Sequence, residues 1–578
     1  MFSQSRRVLL LAALLVAATG CQDLVVRNLN DPDRFRAITN PEDVQQLIAG
    51  VFDEEYFPAI HLASSAVDTE MMFAGYASEM TATTVLGGTA NETAEPRQEH
   101  SNLVSIATTI GVHGPRNMYR DFLRVWSVAD DILRLTQGED ATELIIGEVD
   151  QTPRARAFAM MMQGFAWGYL ANMFDQAMII PSDEVFPESN EEALQYLVDR
   201  DVALEASLSV LDDAKALLLA NPDIVYPDRS AGSAQWFGAA APVGPAELIP
   251  FINTMQARFL IMHARNPAER AAVNWTRVLT HTTAGLQSDF SVVLDGSRPS
   301  GLYSTIARGN AGMGADYRMV GPADISGGYQ SWIAAGLEGR DRFQMVTPDR
   351  RIQGPGFVVF QSVNYRAQGA YFRNMANSLS DQCCGASGTY YRPAYQWRRH
   401  QHGIGIATTV NSTTSNFNTG DAEIATADEN RLYAAEANFH MGNLTAARDL
   451  VNVTRTRGHT LPNQGNFPTN LPPATVNGAP HSAPGADDCV PRTDTGQCGN
   501  LHVVIRYERM IELAGLDVLR GWFDSRAFGT LPDGSWTQLP VPAPELEQLG
   551  LPLYSFGGVG TEFGAVYAPV GGGWNGGP

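Results

Sequence analysis

The chain has 578 residues, with 62 acidic against 40 basic side chains and a formal net charge of −22. Hydrophobic residues make up 44% of it, close to the roughly 45–50% of globular proteins, so a large core can be buried. The acidic balance excludes nucleic acid as a partner, which needs a clustered basic field, and the 54 glycines and 33 prolines point to many ordered loops, not to a disordered chain.

Arg6 and Arg7 precede an unbroken apolar run from Val8 to Ala18, followed by Thr19-Gly20-Cys21. A charged start, a short apolar stretch and small residues before a cut are the pattern of a secretory signal, here 1–20. The apolar run is too short for a bilayer, which needs about 20 residues. The small pair before a cysteine resembles a bacterial lipobox, with Ala18 where Leu is usual, and predicts that Cys21 is acylated and tethers the body 21–578 by lipid. The alternative is an ordinary secretory signal with an incidental cysteine. Cys383, Cys384, Cys489 and Cys498 remain. Disulfides persist in an exported chain, and four cysteines allow three connectivities. The expected bridge is Cys489–Cys498, closing a short loop in a Pro/Gly/Asp-rich stretch, with Cys383 and Cys384 a vicinal bridge or free thiols. No metal site is expected, because there is no CxxC pair and no histidine at ligand spacing.

Residues 116–135 place Tyr119, Phe122, Leu123, Trp126, Ala129, Ile132 and Leu133 at three- and four-residue spacing, which predicts an amphipathic helix. Residues 154–173 are apolar on more than one side, as in a helix packed between others. A helix is expected over 190–220, capped by Ser189 or Asn190 and stopped at Asn221-Pro222. A pair over 249–265 and 268–286 breaks at Asn266-Pro267. The clearest pair runs from Asp428 to Met441 and from Leu444 to Arg455, turning at Gly442-Asn443, glycine being favoured just past a helix end. A last helix, 502–520, leads into Trp522. The implied fold class is mainly α: tetratricopeptide-like helical pairs forming one body, with long irregular loops and a few short strands. The scaffold covers 40–286 and 428–530. Residues 287–427 and 456–500 lack helical periodicity and far exceed the usual loop ceiling of about 12–15 residues, which points to function or independent structure. Gly356 to Phe360 reads as a strand, and the Gly-rich tail 557–578 is expected to be ordered only where it docks.

No catalytic residue is assigned. There is no GxSxG elbow, HExxH helix, P-loop or EF-hand loop, and no local pattern marks two carboxylates as partners. Arg506, Glu508, Arg509 and Glu512 stand at spacings where opposite charges pair along a helix. Glu436 is expected to be a paired charge between helices or to face solvent.

Several segments resemble the RagB/SusD family of starch-utilisation-system-D-like outer-membrane lipoproteins. They are Asn40-Pro41-Glu42-Asp43-Val44 through Leu47-Ile48-Ala49-Gly50; Ala155 to Pro181; Leu432-Tyr433-Ala434-Ala435-Glu436-Ala437; Val451 to Gly458; and Glu508-Arg509, Glu512-Leu513-Ala514 with Trp522 to Arg526. The turn at Phe174-Asp175-Gln176 lacks the family's glycine, and Gly515-Leu516-Asp517 stands where Phe-Glu-Gly is usual. The resemblance implies a mainly helical body whose variable loops carry the ligand, and a β-barrel partner of the TonB-dependent class. A lipid anchor would raise the body's effective concentration beside such a barrel.

Ligand candidates come from aromatic density in the irregular region. Tyr365, Tyr371, Tyr390, Tyr391, Tyr395 and Trp397 are interleaved with arginines including Arg398, and Trp332 sits in a loop-like context. Aromatic faces flanked by polar groups suit sugar rings and peptides alike. The polar stretch 76–100, with Tyr76 and Arg97, is a second candidate. The expected function is non-enzymatic capture of a nutrient, glycan being the family's usual cargo and peptide the other option, and its delivery to a TonB-dependent transporter at the outer membrane, facing the cell surface. No cofactor is indicated, and structural calcium stays open. The alternatives are a lipid-anchored scaffold binding only proteins and an exported hydrolase.

Overall fold

The structure is a computed structural model describing residues 40–61, 69–82, 95, 97, 102, 115–137, 141–229, 236–295, 313–340, 343–360, 363–374, 394–397, 419–461, 465–516 and 518–561. Helices Pro115–Leu135, Thr152–Met173 and Arg200–Ala220 pack side by side, with Thr152–Met173 in the middle. Every residue from Met161 to Met173 is buried, as the absence of a polar face demands. The crossings depend on two glycines. A Cβ on Gly164 would collide with the Leu211 side chain, and one on Gly168 with the Phe259 ring.

Helices Pro245–Met262, Trp275–Thr283, Ala427–His440 and Leu444–Arg455 continue the stack. The turn between the last two uses Gly442 at φ 80°, and Thr426 caps the first by accepting a hydrogen bond from the Glu429 N–H at 3.0 Å. Helix Leu501–Glu512 joins two cores. Its Val504 and Ile505 pack with Leu432, Ala435, Ala447 and Val451, while Val503, Tyr507 and Ile511, four residues apart, face a second cluster built from Tyr317, Tyr329, Met345, Phe372 and Tyr395.

Three expected helices are broken. Over 190–220 only Arg200–Ala220 is a long helix, because Leu197–Asp199 forms a short antiparallel ladder with Gln176–Met178. Ser189 caps the preceding turn, accepting from the Glu192 N–H at 3.2 Å. The stretch 268–286 divides into Pro267–Ala271 and Trp275–Thr283, the second capped by Asn274. The last helix stops at Glu512, turns through Gly515 at φ 72° and restarts as Val518–Ala527. The segments 287–427 and 456–500 are also more regular than loops. Phe290–Asp295 pairs with Thr419–Ala425, Gln353–Phe360 with Val363–Gln368, and Met80–Ala82, Met313–Ala315, Tyr395–Trp397 and Phe372–Asn374 form a four-stranded sheet. Cys489 and Cys498 are joined in a disulfide. Cys21, Cys383, Cys384 and the tail beyond residue 561 lie outside the described residues.

The signature charges pair between elements, not along their own helix. Arg351 meets Asp349, Glu508 and Glu512; Arg455 meets Glu508; Arg258 holds Glu429 with two 2.7 Å bonds; Arg270 and Arg509 share Glu436. All these side chains are buried, so Glu436 is the interhelical pair. Burial alone would raise the Glu429 carboxyl, but Arg258 and Arg520 override it and hold it near 2. Arg526 ties the body together differently. Its guanidinium donates to the carbonyls of Asn172 at 2.7 Å and Met262 at 2.8 Å, the negative ends of two helices, and stacks on Trp522 at 4.4 Å.

Candidate functional site

The turn at Gly515 aims helix Val518–Ala527 so that Arg520, Gly521, Asp524 and Ser525 face a cavity of about 610 Å³. That volume is typical of small-ligand sites, which run to about 300–1,000 Å³. Arg506, Arg509 and Met510 from helix Leu501–Glu512 form a second wall, Tyr329 and Ile333 from Gly328–Ala334 a third, and the turn 528–533 the rim. Phe528 lies between the Arg270 and Arg506 guanidiniums, at 4.7 and 4.8 Å from its ring. Asp524 accepts from Arg509 at 2.6 Å.

Two loops bring acidic groups to this cavity from distant sequence. Asp494 rides in the disulfide loop, which is fixed by the Arg492 N–H on the Pro322 carbonyl at 2.7 Å and by Gln330 on the Thr493 carbonyl at 3.1 Å. Glu95 is placed by its neighbour Arg97, whose backbone N–H donates to the Asp533 carbonyl at 2.7 Å and whose side chain donates to the Gly75 carbonyl and the Ser78 hydroxyl. Gly534, at φ 81°, permits this approach, since a Cβ there would lie 2.5 Å from the Arg97 carbonyl oxygen. Glu95 in turn accepts from Arg318 and from Arg340, each at 2.8 Å. Burial would raise its carboxyl, yet the Arg318 bond and the charges of Arg318 and Arg340 hold it down at about 2. Arg340 stacks 4.4 Å over Trp332, and Arg318 5.6 Å from it.

The expected aromatic platform is not what the described candidates form. Tyr76, Arg97, Trp332, Tyr371, Tyr395 and Trp397 are all buried. Tyr76 packs on Trp536, Tyr371 donates its hydroxyl to Glu512 at 2.9 Å, Tyr395 accepts from the Met345 N–H, and Trp397 sits opposite Phe372 in the four-stranded sheet. Arg97 and Trp332 support the cavity from behind. Tyr365 lies on strand Val363–Gln368, but its side chain, like Tyr390, Tyr391 and Arg398, is outside the described residues. Of the cavity's charged groups, Glu95, Arg318, Arg340 and Asp494 are not among the ligand candidates of the sequence; its signals are the polar stretch 76–100, which contains Glu95, and the helix charges Arg506 and Arg509 with the Trp522–Arg526 segment, which contains Asp524.

No protein-family model and no curated protein matches the chain. Solved structures do. A SusD superfamily protein from Bacteroides vulgatus superposes with a TM-score of 0.50 at 11% identity, over 88% of this chain and 97% of that one. A SusD-like carbohydrate-binding protein from Bacteroides fragilis gives 0.50 at 13% identity, over 86% and 88%. The fold is SusD-like. Among the described residues of the SusD-like fold two side-chain groups have metal-ligand chemistry, and neither suits a cation. His481 Nε2 does reach Cys498 Sγ at 3.3 Å, a proximity that sequence spacing hid, but both sulfurs are spent in the disulfide. Glu436, His440 and His502 converge, but Arg270 and Arg509 already hold that carboxylate, so a divalent ion would meet two guanidiniums.

Proposed function

We propose that this chain is an outer-membrane lipoprotein, acylated at Cys21, that captures a glycan in the 610 Å³ cavity and passes it to a TonB-dependent β-barrel transporter. The observation that carries the reading is the cavity itself: carboxylate and guanidinium groups held in fixed pairs around Tyr329, Ile333, Met510 and Phe528. Hydroxyls of a sugar can donate to the carboxylates and accept from the guanidiniums, while the ring's C–H face rests on apolar side chains. The carbohydrate-binding description of the Bacteroides fragilis relative, whose fold this chain shares, supports the same occupant.

Capture without cleavage is part of the reading. Glycoside hydrolysis needs a carboxyl that stays protonated near neutral pH, and the Glu95 carboxyl is driven the other way by its two arginines. The test is calorimetric titration of the chain beginning after Cys21 with oligosaccharides and oligopeptides, beside the Phe528→Ala variant. Saturable glycan binding, weakened about tenfold or more in the variant with products unchanged on chromatography, is the expected result. Peptide binding alone, or glycan binding indifferent to Phe528, would remove the glycan or the cavity from the reading. Purification of the full lipoprotein with a barrel, and its loss on Cys21→Ser, tests the anchor and the hand-over.

A further inference from the structure

We infer that Glu95 is a specificity-determining residue that neutralises the cavity's Arg318–Arg340 pair and so selects a neutral saccharide over an acidic one. This rests on the glycan reading above for its ligand, but its charge logic does not. Arg318, on the short helix Tyr317–Val320, and Arg340, just past the helical turn Gly336–Gly339, converge on one carboxylate: Arg318 donates to both Glu95 oxygens, and Arg318 and Arg340 each reach Oε2 at 2.8 Å. Their side chains and that of Glu95 keep only 9–20% exposure, so the three charges interact with little solvent screening. Two further charges face them: Arg97, buried beside Glu95, and Asp316, buried behind Arg318 and capping its N–H at 2.7 Å. With Glu95 present the group of five carries one net positive charge, and without it two.

Both arginines stack on Trp332, which keeps their forks fixed when the carboxylate is removed. An acidic ligand would therefore have to displace Glu95 from a bond it already makes, whereas a neutral polyol adds hydrogen bonds without breaking that pair. Discrimination of this kind comes from building a repulsive or competing group against the wrong ligand. Glu95 competes as an internal carboxylate occupying the anion's place.

The experiment uses the full chain and its Glu95→Gln variant, with cellohexaose, hexagalacturonate and inorganic sulfate as probes in calorimetry. Wild type is expected to bind cellohexaose at least tenfold more tightly than hexagalacturonate and to show no saturable sulfate binding. Glu95→Gln should gain at least tenfold in affinity for both anions, and adding Arg318→Gln should cancel the gain. If wild type binds sulfate or hexagalacturonate as tightly as Glu95→Gln does, the inference is overturned. If neither saccharide binds wild type, the glycan reading fails while the sulfate comparison still judges Glu95. Should Glu95→Gln not fold, by circular dichroism, the wild-type preference between the two hexasaccharides decides alone.

Discussion

The helices between residues 115 and 220 and those between 245 and 527 make their cores by opposite means. In the first group, small and aromatic side chains interlock: Gly164 under Leu211 and Phe122 stacked on Tyr169 at 5.0 Å, with Gly168 under Phe259 where the first group meets the second. In the second, arginines run through the interior and are met by carboxylates from other helices, as at Arg258–Glu429, Arg270–Glu436–Arg509 and Arg351–Glu508. A packed apolar core forbids added volume but tolerates shape-conserving change. A core of desolvated ions tolerates changes of volume more readily than loss of one partner, because a lone buried charge has nothing to replace its water. The cavity opens in the ionic half, where polar groups are already held in place.

The largest expected effect comes from breaking that half at its centre. Arg351→Met leaves Asp349, Glu508 and Glu512 buried together, and should cost about 3–5 kcal/mol in urea unfolding. A cost below about 1 kcal/mol would mean the carboxylates find protons or water, and the contrast between halves would go. Replacing Cys489 and Cys498 by Ser frees a short loop and should cost about 2–3 kcal/mol on the chain-entropy account. Because Asp494 lies inside that loop, the same variant should weaken cavity binding, which separates a local staple from a general one. Gly168→Ala, in the apolar half, should cost about 1–3 kcal/mol by overpacking against Phe259, and Phe259→Leu in the same chain should recover part of it.

Acid should act in two stages. Burial holds His263, His281 and His440 down near 4, so between pH 6.5 and 4 the unfolded chain binds more protons and stability falls as pH drops. Glu95 and Glu429, held near 2, add a second loss as pH falls from 4.5 towards 2. Urea midpoints at pH 7, 5.5, 4 and 3 check both, and His440→Gln should flatten only the first stage. The smallest effect belongs to the exposed Arg277–Glu205 pair, whose loss in Arg277→Ala should stay within about 1 kcal/mol.

What the sequence disclosed depended on range. The helices 115–135 and 427–455 could be read because their core faces repeat every three or four residues. The break at Leu197–Asp199 could not, since its cause is a pairing with Gln176–Met178 that no local pattern announces. The cavity is more distant still: Glu95 meets Arg340 across 245 positions. Glu512 has Arg509 at pairing spacing along its own helix, yet it turns instead, as Glu508 does, to Arg351, which stands 157 residues from Glu508. The aromatics of the polar stretch suggest a platform, but Tyr371, Tyr395 and Trp397 are inside, packed in one core with Val503, Tyr507 and Ile511 of helix Leu501–Glu512. The polar partners of the two tyrosines, Glu512 and the Met345 N–H, come from elsewhere in the chain.

Arg526 carries a consequence for the order in which the molecule is built. Helices Thr152–Met173 and Pro245–Met262 are complete long before residue 526 leaves the ribosome, yet the carbonyls of Asn172 and Met262 take their hydrogen bonds from its guanidinium across 354 and 264 positions. A growing chain therefore carries both helices through at least 264 further residues before the guanidinium that bridges those two carbonyls is made. A chain truncated just before Arg526 should be cut faster by protease than one truncated just after it, because only the second can bridge the two helix ends.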